Sequence, residues 1–297
     1  MQRRKASDFD PEVLKLFDKY VHGIISRRGF LLGAAKYAVG GVSAAALLDA
    51  LNPKFAEAQQ VAKDDGRIDA RFIEYDSPSG YGRMRGYLVR PAQAAGKLPG
   101  LLVVHENRGL NPHIEDITRR LALDNFIAFA PDALFPLGGY PGNEDKAREL
   151  FATLDQSKAR ADFVAAAGFL KVLPGCSGKV GAVGFCYGGG IVNMLATRLP
   201  DLAAAVPFYG SQPAAADVPK IKAPLLAHYA ENDERINAGR AAYEAALKSA
   251  NVKFESYIYP GTQHGFNNDT TPRYDEAAAK LAWQRTIAFF NATLRAA

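Results

Sequence analysis

Gly184-Phe185-Cys186-Tyr187-Gly188-Gly189-Gly190 sets a single thiol among four glycines, directly after the strand-like run Lys179–Phe185 and before a helical stretch. This G-x-C-x-G pattern is the cysteine form of a nucleophile elbow. A strand that turns at once into a helix holds its central residue in a strained conformation. Side chains two positions away would meet neighbouring backbone, and glycine removes that collision. The sulfur is then presented beside the positive end of a helix dipole, which favours the thiolate. The plainer reading is a buried structural cysteine in a glycine-rich turn. Cys176, the other cysteine, is read as packing. A seven-residue strand at ~3.3 Å per residue holds the two about 20 Å apart, far beyond disulfide reach.

An acid and a base are expected at later strand ends. Pro224–Tyr229 is followed by Ala230-Glu231-Asn232-Asp233-Glu234-Arg235, in which Asp233 has the short reach that orients an imidazole and Glu231 is the fallback. Tyr259-Pro260-Gly261-Thr262-Gln263-His264-Gly265-Phe266 supplies a base, His264, in a loop five residues beyond the last strand. Nucleophile 186, acid 233 and base 264 follow the chain order of α/β-hydrolases. The remaining histidines are set aside: His22 lies in the leader, His113 opens a helix and His228 sits inside a strand. His105-Glu106 follows a strand and lacks the second histidine of a zinc helix, so no metal and no cofactor are expected.

Such residues need a scaffold, and the chain alternates strand and helix. Arg71–Tyr75 and Met84–Arg90 read as a hairpin pair. Strands are then expected at 101–104, 126–130, 179–185, 204–208, 224–229 and 254–259. Helices are expected at about 113–123, 159–172, 187–199 and 237–250, with a closing helix whose Trp283, Ile287, Phe290 and Leu294 share one face. The expected fold class is α/β: a mostly parallel central sheet with helices on both faces and its chemistry at the carboxyl ends of the strands.

The 297 residues carry 36 Lys+Arg against 31 Asp+Glu and are 48% hydrophobic, an ordinary globular composition. Residues 1–58 hold nine basic and six acidic side chains, so most of the +5 charge lies there and no basic stripe for nucleic acid is left. Ser26-Arg27-Arg28-Gly29-Phe30-Leu31-Leu32 resembles a twin-arginine export signal. The uncharged run Tyr37–Leu48 is too short to span a membrane but suits a signal h-region, and Ala56-Glu57-Ala58 suggests cleavage before Gln59. Two parts are therefore expected: a leader at 1–58 and one catalytic domain at 59–297, with the export machinery as partner and the periplasm as destination. The alternative is an N-terminal helix that belongs to the fold, since Val13, Leu16, Phe17 and Tyr20 keep helical apolar spacing.

From about 68 to 295 the chain resembles the dienelactone hydrolase family of the α/β-hydrolases, through the elbow motif, Val104-His105-Glu106-Asn107-Arg108-Gly109 and Pro260-Gly261-Thr262-Gln263-His264-Gly265-Phe266. The resemblance implies that Cys186 is the nucleophile, His264 the base and Asp233 the orienting acid. It implies that Glu106 lies against the resting thiol and receives its proton; an ion pair of Glu106 with Arg108 is the other reading. It implies an oxyanion hole from the backbone N–H groups of Tyr187 and Asn107. Two arginines that bind a substrate carboxylate in the family are missing, at Phe135-Pro136-Leu137 and at Asn268. Arg108, Arg273 and Arg235 are candidate substitutes, with Tyr209 as a further substrate contact. The expected activity is ester or lactone hydrolysis, of the carboxymethylenebutenolidase kind, through a thioacyl-enzyme. The rivals are a redox protein oxidised at Cys186 and a binding protein on an inert hydrolase scaffold.

Overall fold

Apolar runs become buried strands. The computed structural model describes residues 4–38 and 42–295. Among them eight strands form one sheet: β1 (Ile68–Ser77), β2 (Gly82–Pro91), β3 (Leu98–Val104), β4 (Ile127–Pro131), β5 (Cys176–Phe185), β6 (Ala204–Phe208), β7 (Leu225–Asn232) and β8 (Phe254–Gln263). Their order is β1-β2-β4-β3-β5-β6-β7-β8. The β1–β2 and β2–β4 pairs are antiparallel and the rest parallel. This is the mostly parallel sheet expected from the alternation, and it agrees with the α/β-hydrolase fold that the resemblance implies.

Side chains alternate across the sheet with period two. Leu102 and Val104 face one core, with Phe163 and Leu170 of α7 (Gln156–Val172) and Leu195 of α8 (Tyr187–Arg198). Leu101 and Val103 face the other, with Ile117 of α5 (Pro112–Leu123) and Phe290 of α11 (Glu276–Leu294). A helix at Glu144–Ala152 also lies on the first side, docked through Ala147 and Phe151; the sequence reading left it out. We number it α6. Two further helices, α9 (Glu234–Asn237) and α10 (Arg240–Ser249), follow β7.

The described residues before 59 are largely helical. α1 (Pro11–Val21) starts at Asp10, whose carboxylate accepts from the Glu12 N–H. α2 (Arg27–Ala34) starts at Ser26, so the paired arginines form its first turn. α3 (Ala44–Leu51) and the short α4 (Phe55–Ala58) complete the segment. Residues 39–41 of the uncharged run lie outside the described residues. Val13, Leu14, Phe17 and Tyr20 of α1 pack with Phe30, Ala34, Leu48 and Leu51 into a third apolar cluster. The helical spacing in α1 is therefore that of a packed face.

This segment lies on the sheet's carboxyl edge. The Asp145 carboxylate of α6 accepts from the Tyr20 hydroxyl and, at 3.0 Å, from Arg27. Arg148 donates to the Tyr20 carbonyl at 2.5 Å, and the Val21 carbonyl accepts from both Asn107 and Arg108 at 2.9 and 3.1 Å.

Candidate active site

β5 ends at Phe185 and α8 begins at Tyr187, leaving Cys186 at φ 56° and ψ −113° between them. A non-glycine residue in the left-handed half of backbone space costs about 1–3 kcal/mol and is held by its surroundings. Here the Cys186 N–H donates to the Phe208 carbonyl at 3.1 Å. The glycines are needed as the motif implied. A Cβ on Gly184 would stand 2.2 Å from the Gly188 carbonyl oxygen, and one on Gly188 2.2 Å from that of Val104. Cys176, at the far end of β5, and Cys186 are both free thiols.

Asp233 and His264 each directly follow a strand, because β7 runs on to Asn232 and β8 to Gln263. His264 thus stands next to the strand rather than five residues beyond it. β8 is the outermost strand, where Pro260 omits a ladder hydrogen bond at little cost. Asp233 caps α9, accepting from the Ile236 N–H, and its second oxygen lies 2.5 Å from His264 Nδ1. Both side chains are buried. His264 Nε2 is buried too and has no hydrogen-bond partner among the described residues.

The sulfur has a second imidazole neighbour that the sequence reading dismissed. His22, at the end of α1, places Nε2 3.4 Å from Cys186 Sγ, and its ring meets the His264 ring edge-on at 4.8 Å between centroids. The donor atoms of His22, Cys186 and His264 all lie within 4.8 Å of one another. Two imidazoles and a thiolate are donors that suit zinc, although the segments supplying them show no metal spacing in sequence. The setting aside of His22 is corrected; that of His113, His228 and His105 is not. His228 bonds Tyr259 and Thr286 and burial takes its pKa down to about 3. His105 accepts from the Ala133 N–H, and burial takes it down to about 4. His113 faces Asp269 at 3.3 Å.

Burial alone would raise the Cys186 pKa, but the positive His264 and His22 beside it reverse the sign and take it down to about 5. Burial likewise opposes a charged His264, yet the thiolate and Asp233 push it up to about 10. The site is therefore a thiolate–imidazolium pair across the neutral range.

The other expected residues take these places. Glu106 lines the cavity that holds Cys186, and its carboxylate accepts from Asn268 Nδ2 at 2.9 Å. The group in hydrogen-bond contact with the sulfur is instead His22. The Glu106–Arg108 ion pair is corrected: Arg108 faces Glu144 at 3.6 Å and donates to Asn107 Oδ1 at 2.6 Å and to the Val21 carbonyl. Arg273 lines the cavity, but α1 engages it, with Asp18 at 3.5 Å and the Phe17 ring 5.1 Å away. Arg235 lies 3.0 Å from His22 Nε2. Tyr209 is not on the cavity wall; it is 1% exposed and packs behind His264, ring centroids 5.0 Å apart. A buried tyrosine behind the base steadies its ring rather than meeting substrate.

The cavity over Cys186 holds about 40 Å³, walled on one side by Phe17, Tyr20, Val21 and His22. That is room for about one water, whereas a ligand pocket is typically ~300 Å³ or more. Substrate admission therefore requires side chains of this wall, Phe17 and Tyr20 first, to rearrange.

The model of the dienelactone hydrolase family matches residues 84–294, and a second model, described as YqhI-like, matches residues 1–37. A Salmonella typhi protein provisionally named carboxymethylenebutenolidase is 35% identical over 240 residues, covering 76% of this chain and 88% of its own. The Escherichia coli hydrolase fragment YghX, also a provisional name, is 55% identical over 114 residues, 38% of this chain and 97% of its own. A solved Klebsiella pneumoniae structure, provisionally a dienelactone hydrolase, superposes with a TM-score of 0.67 at 31% identity, covering 75% of this chain and 98% of that one.

Proposed function

The chain belongs to the dienelactone hydrolase family, and from that premise we propose that it cleaves an ester or lactone through a thioacyl-enzyme on Cys186. The observation that carries this reading is the set of contacts around one sulfur: the strained elbow, the His264 ring within 4.8 Å, and Asp233 at 2.5 Å behind that ring. The thiolate attacks the carbonyl carbon, and the oxyanion is received by the backbone N–H groups of Tyr187 and Asn107. Collapse expels the alkoxide, which takes its proton from the imidazolium beside the sulfur and leaves as the alcohol. His264 then takes a proton from water, hydroxide displaces the sulfur, and the acid leaves. Asp233 holds the His264 tautomer with Nδ1 protonated.

Cys186→Ala is expected to abolish turnover of an aryl ester while leaving the fold intact by circular dichroism, and the wild type to acylate one equivalent of Cys186 in a burst. Undiminished turnover in the variant would remove the reading. Esters without a carboxylate should react at least as well as those with one. Phe135-Pro136-Leu137 and Asn268 stand where the family's carboxylate-binding arginines would, and Arg108 and Arg273 are engaged by Glu144 and Asp18. The paired Arg27-Arg28 ahead of an apolar stretch supports export of the folded protein to the periplasm. Cell fractionation of wild type against a double Lys substitution at these positions tests that part separately.

A further inference from the structure

We infer that His22 is a catalytic residue: the N-terminal segment supplies a second carboxylate–imidazole pair, Asp18–His22, that carries the proton of the acylation step while His264 serves the water step. This rests on Cys186 being the nucleophile.

The tautomer of His22 follows from its neighbours. Nδ1 lies 2.7 Å from the Asp18 carbonyl oxygen and 3.3 Å from the Asp18 carboxylate, so the proton sits on Nδ1. On the other side Arg235 Nη2 is 3.0 Å from Nε2, and a guanidinium can only donate. In the neutral ring Nε2 is thus the acceptor, 3.4 Å from the sulfur, and it becomes a donor once it holds the thiol proton. His264 repeats the pattern, with Asp233 at Nδ1 and a buried, unpartnered Nε2 turned to the same cluster. Two imidazoles backed by carboxylates converge on one thiol. Both rings act on the sulfur, and the one from α1 brings its Nε2 to 3.4 Å.

The step balances as follows. At rest the sulfur's proton is held on His22 Nε2, as thiolate and imidazolium. The S–C bond forms as the carbonyl π pair moves to oxygen. When the oxyanion collapses, the C–O bond to the leaving group breaks and His22 Nε2–H protonates that oxygen, giving an alcohol, a thioester and neutral His22. In the second half His264 Nε2 takes a proton from water, the hydroxide oxygen bonds the acyl carbon, and the C–S bond breaks. The proton on His264 then returns by way of the sulfur to His22 Nε2, restoring the resting pair.

The charged groups facing His22 are Asp18 on its own helix, Cys186 at the elbow, His264 after β8 and Arg235 in α9, with Arg273 reaching Asp18 from behind. Removing the imidazole should therefore raise the pH at which the thiolate forms. It also follows that the working enzyme keeps residues 1–58.

The experiment uses the full chain. His22→Gln keeps a polar side chain against the sulfur but cannot carry the proton; His22→Ala opens the position. Both are expected to slow the aryl-ester acylation burst by about 10²-fold, to leave hydrolysis of the formed thioester within about threefold, and to move the midpoint of Cys186 alkylation upward. Added imidazole should restore burst rate in His22→Ala, which a purely structural loss would not allow, and Asp18→Asn should give a smaller slowing of the same step. An unchanged or faster burst in both His22 variants overturns the inference, a faster burst marking the ring as a plug. Cys186→Ala is run alongside: if it still turns over, the nucleophile reading has failed instead.

Discussion

The two regions that meet at Cys186 are built on different principles. The sheet buries its strands on both faces, and its reactive residues stand at strand ends fixed by close backbone contacts such as Gly188 against Val104. The N-terminal helices share one small apolar cluster and rest on the sheet's edge through hydrogen bonds to Asp145, Arg148, Asn107 and Arg108. Asp233–His264 is accordingly buried between strand ends, while Asp18–His22 sits on a helix held by a small cluster and a few hydrogen bonds. The same chemical pair is thus anchored by the sheet in one region and by a thin layer of helices in the other.

That contrast is sharpest in the carboxylates. Asp233→Asn is expected to lower aryl-ester turnover by about 10³–10⁴-fold, because the amide favours the wrong His264 tautomer. Asp18→Asn should cost only about tenfold, since the Asp18 backbone carbonyl still holds Nδ1. Equal losses, read as kcat/KM, would erase the distinction. Phe17→Ala comes next. Phe17 is buried against Tyr20, Phe30 and the Arg273 guanidinium. Its truncation should loosen the segment by about 3 kcal/mol, seen as faster limited proteolysis before residue 59 with the unfolding of the sheet unchanged.

The pH response tests the shared sulfur. Alkylation of Cys186 should be flat from pH 6 to 9 and half lost near pH 5, following the lowered thiol. For stability the signs run both ways. The lowered thiol contributes stability that is complete above the ordinary thiol value and lost as pH falls through about 5. The raised His264 contributes stability complete below the ordinary imidazole value and lost as pH rises through about 10. Stability should therefore peak between, and Cys186→Ala should flatten the profile. The smallest effect belongs to Arg27→Ala, whose half-exposed ion pair with Asp145 contributes at most about 1 kcal/mol to segment docking.

Much of this was legible in the chain. The parallel strands announce themselves as apolar runs because both their faces are covered, and the elbow announces itself because its geometry excludes every side chain but glycine at fixed positions. Strand ends were misplaced where Pro260 and Gly261 read as terminators, since an edge strand tolerates both. α6 was overlooked because only Ala147 and Phe151 of its nine residues are buried. His22 was missed for a different reason: its partner lies 164 residues away, and no local pattern encodes that contact. The Asp18–His22 spacing on one helix face, polar beside an apolar stripe, was the available hint.

Asp145 clamps the N-terminal segment to the sheet's edge. Its carboxylate holds Tyr20 and Arg27 together, so one guanidinium of the arginine doublet is already occupied when the segment is docked. The same carboxylate thus ties α1 and α2 to α6 at the rim of the cavity over the sulfur, and a neutral residue at 145 would release both helices from that rim at once.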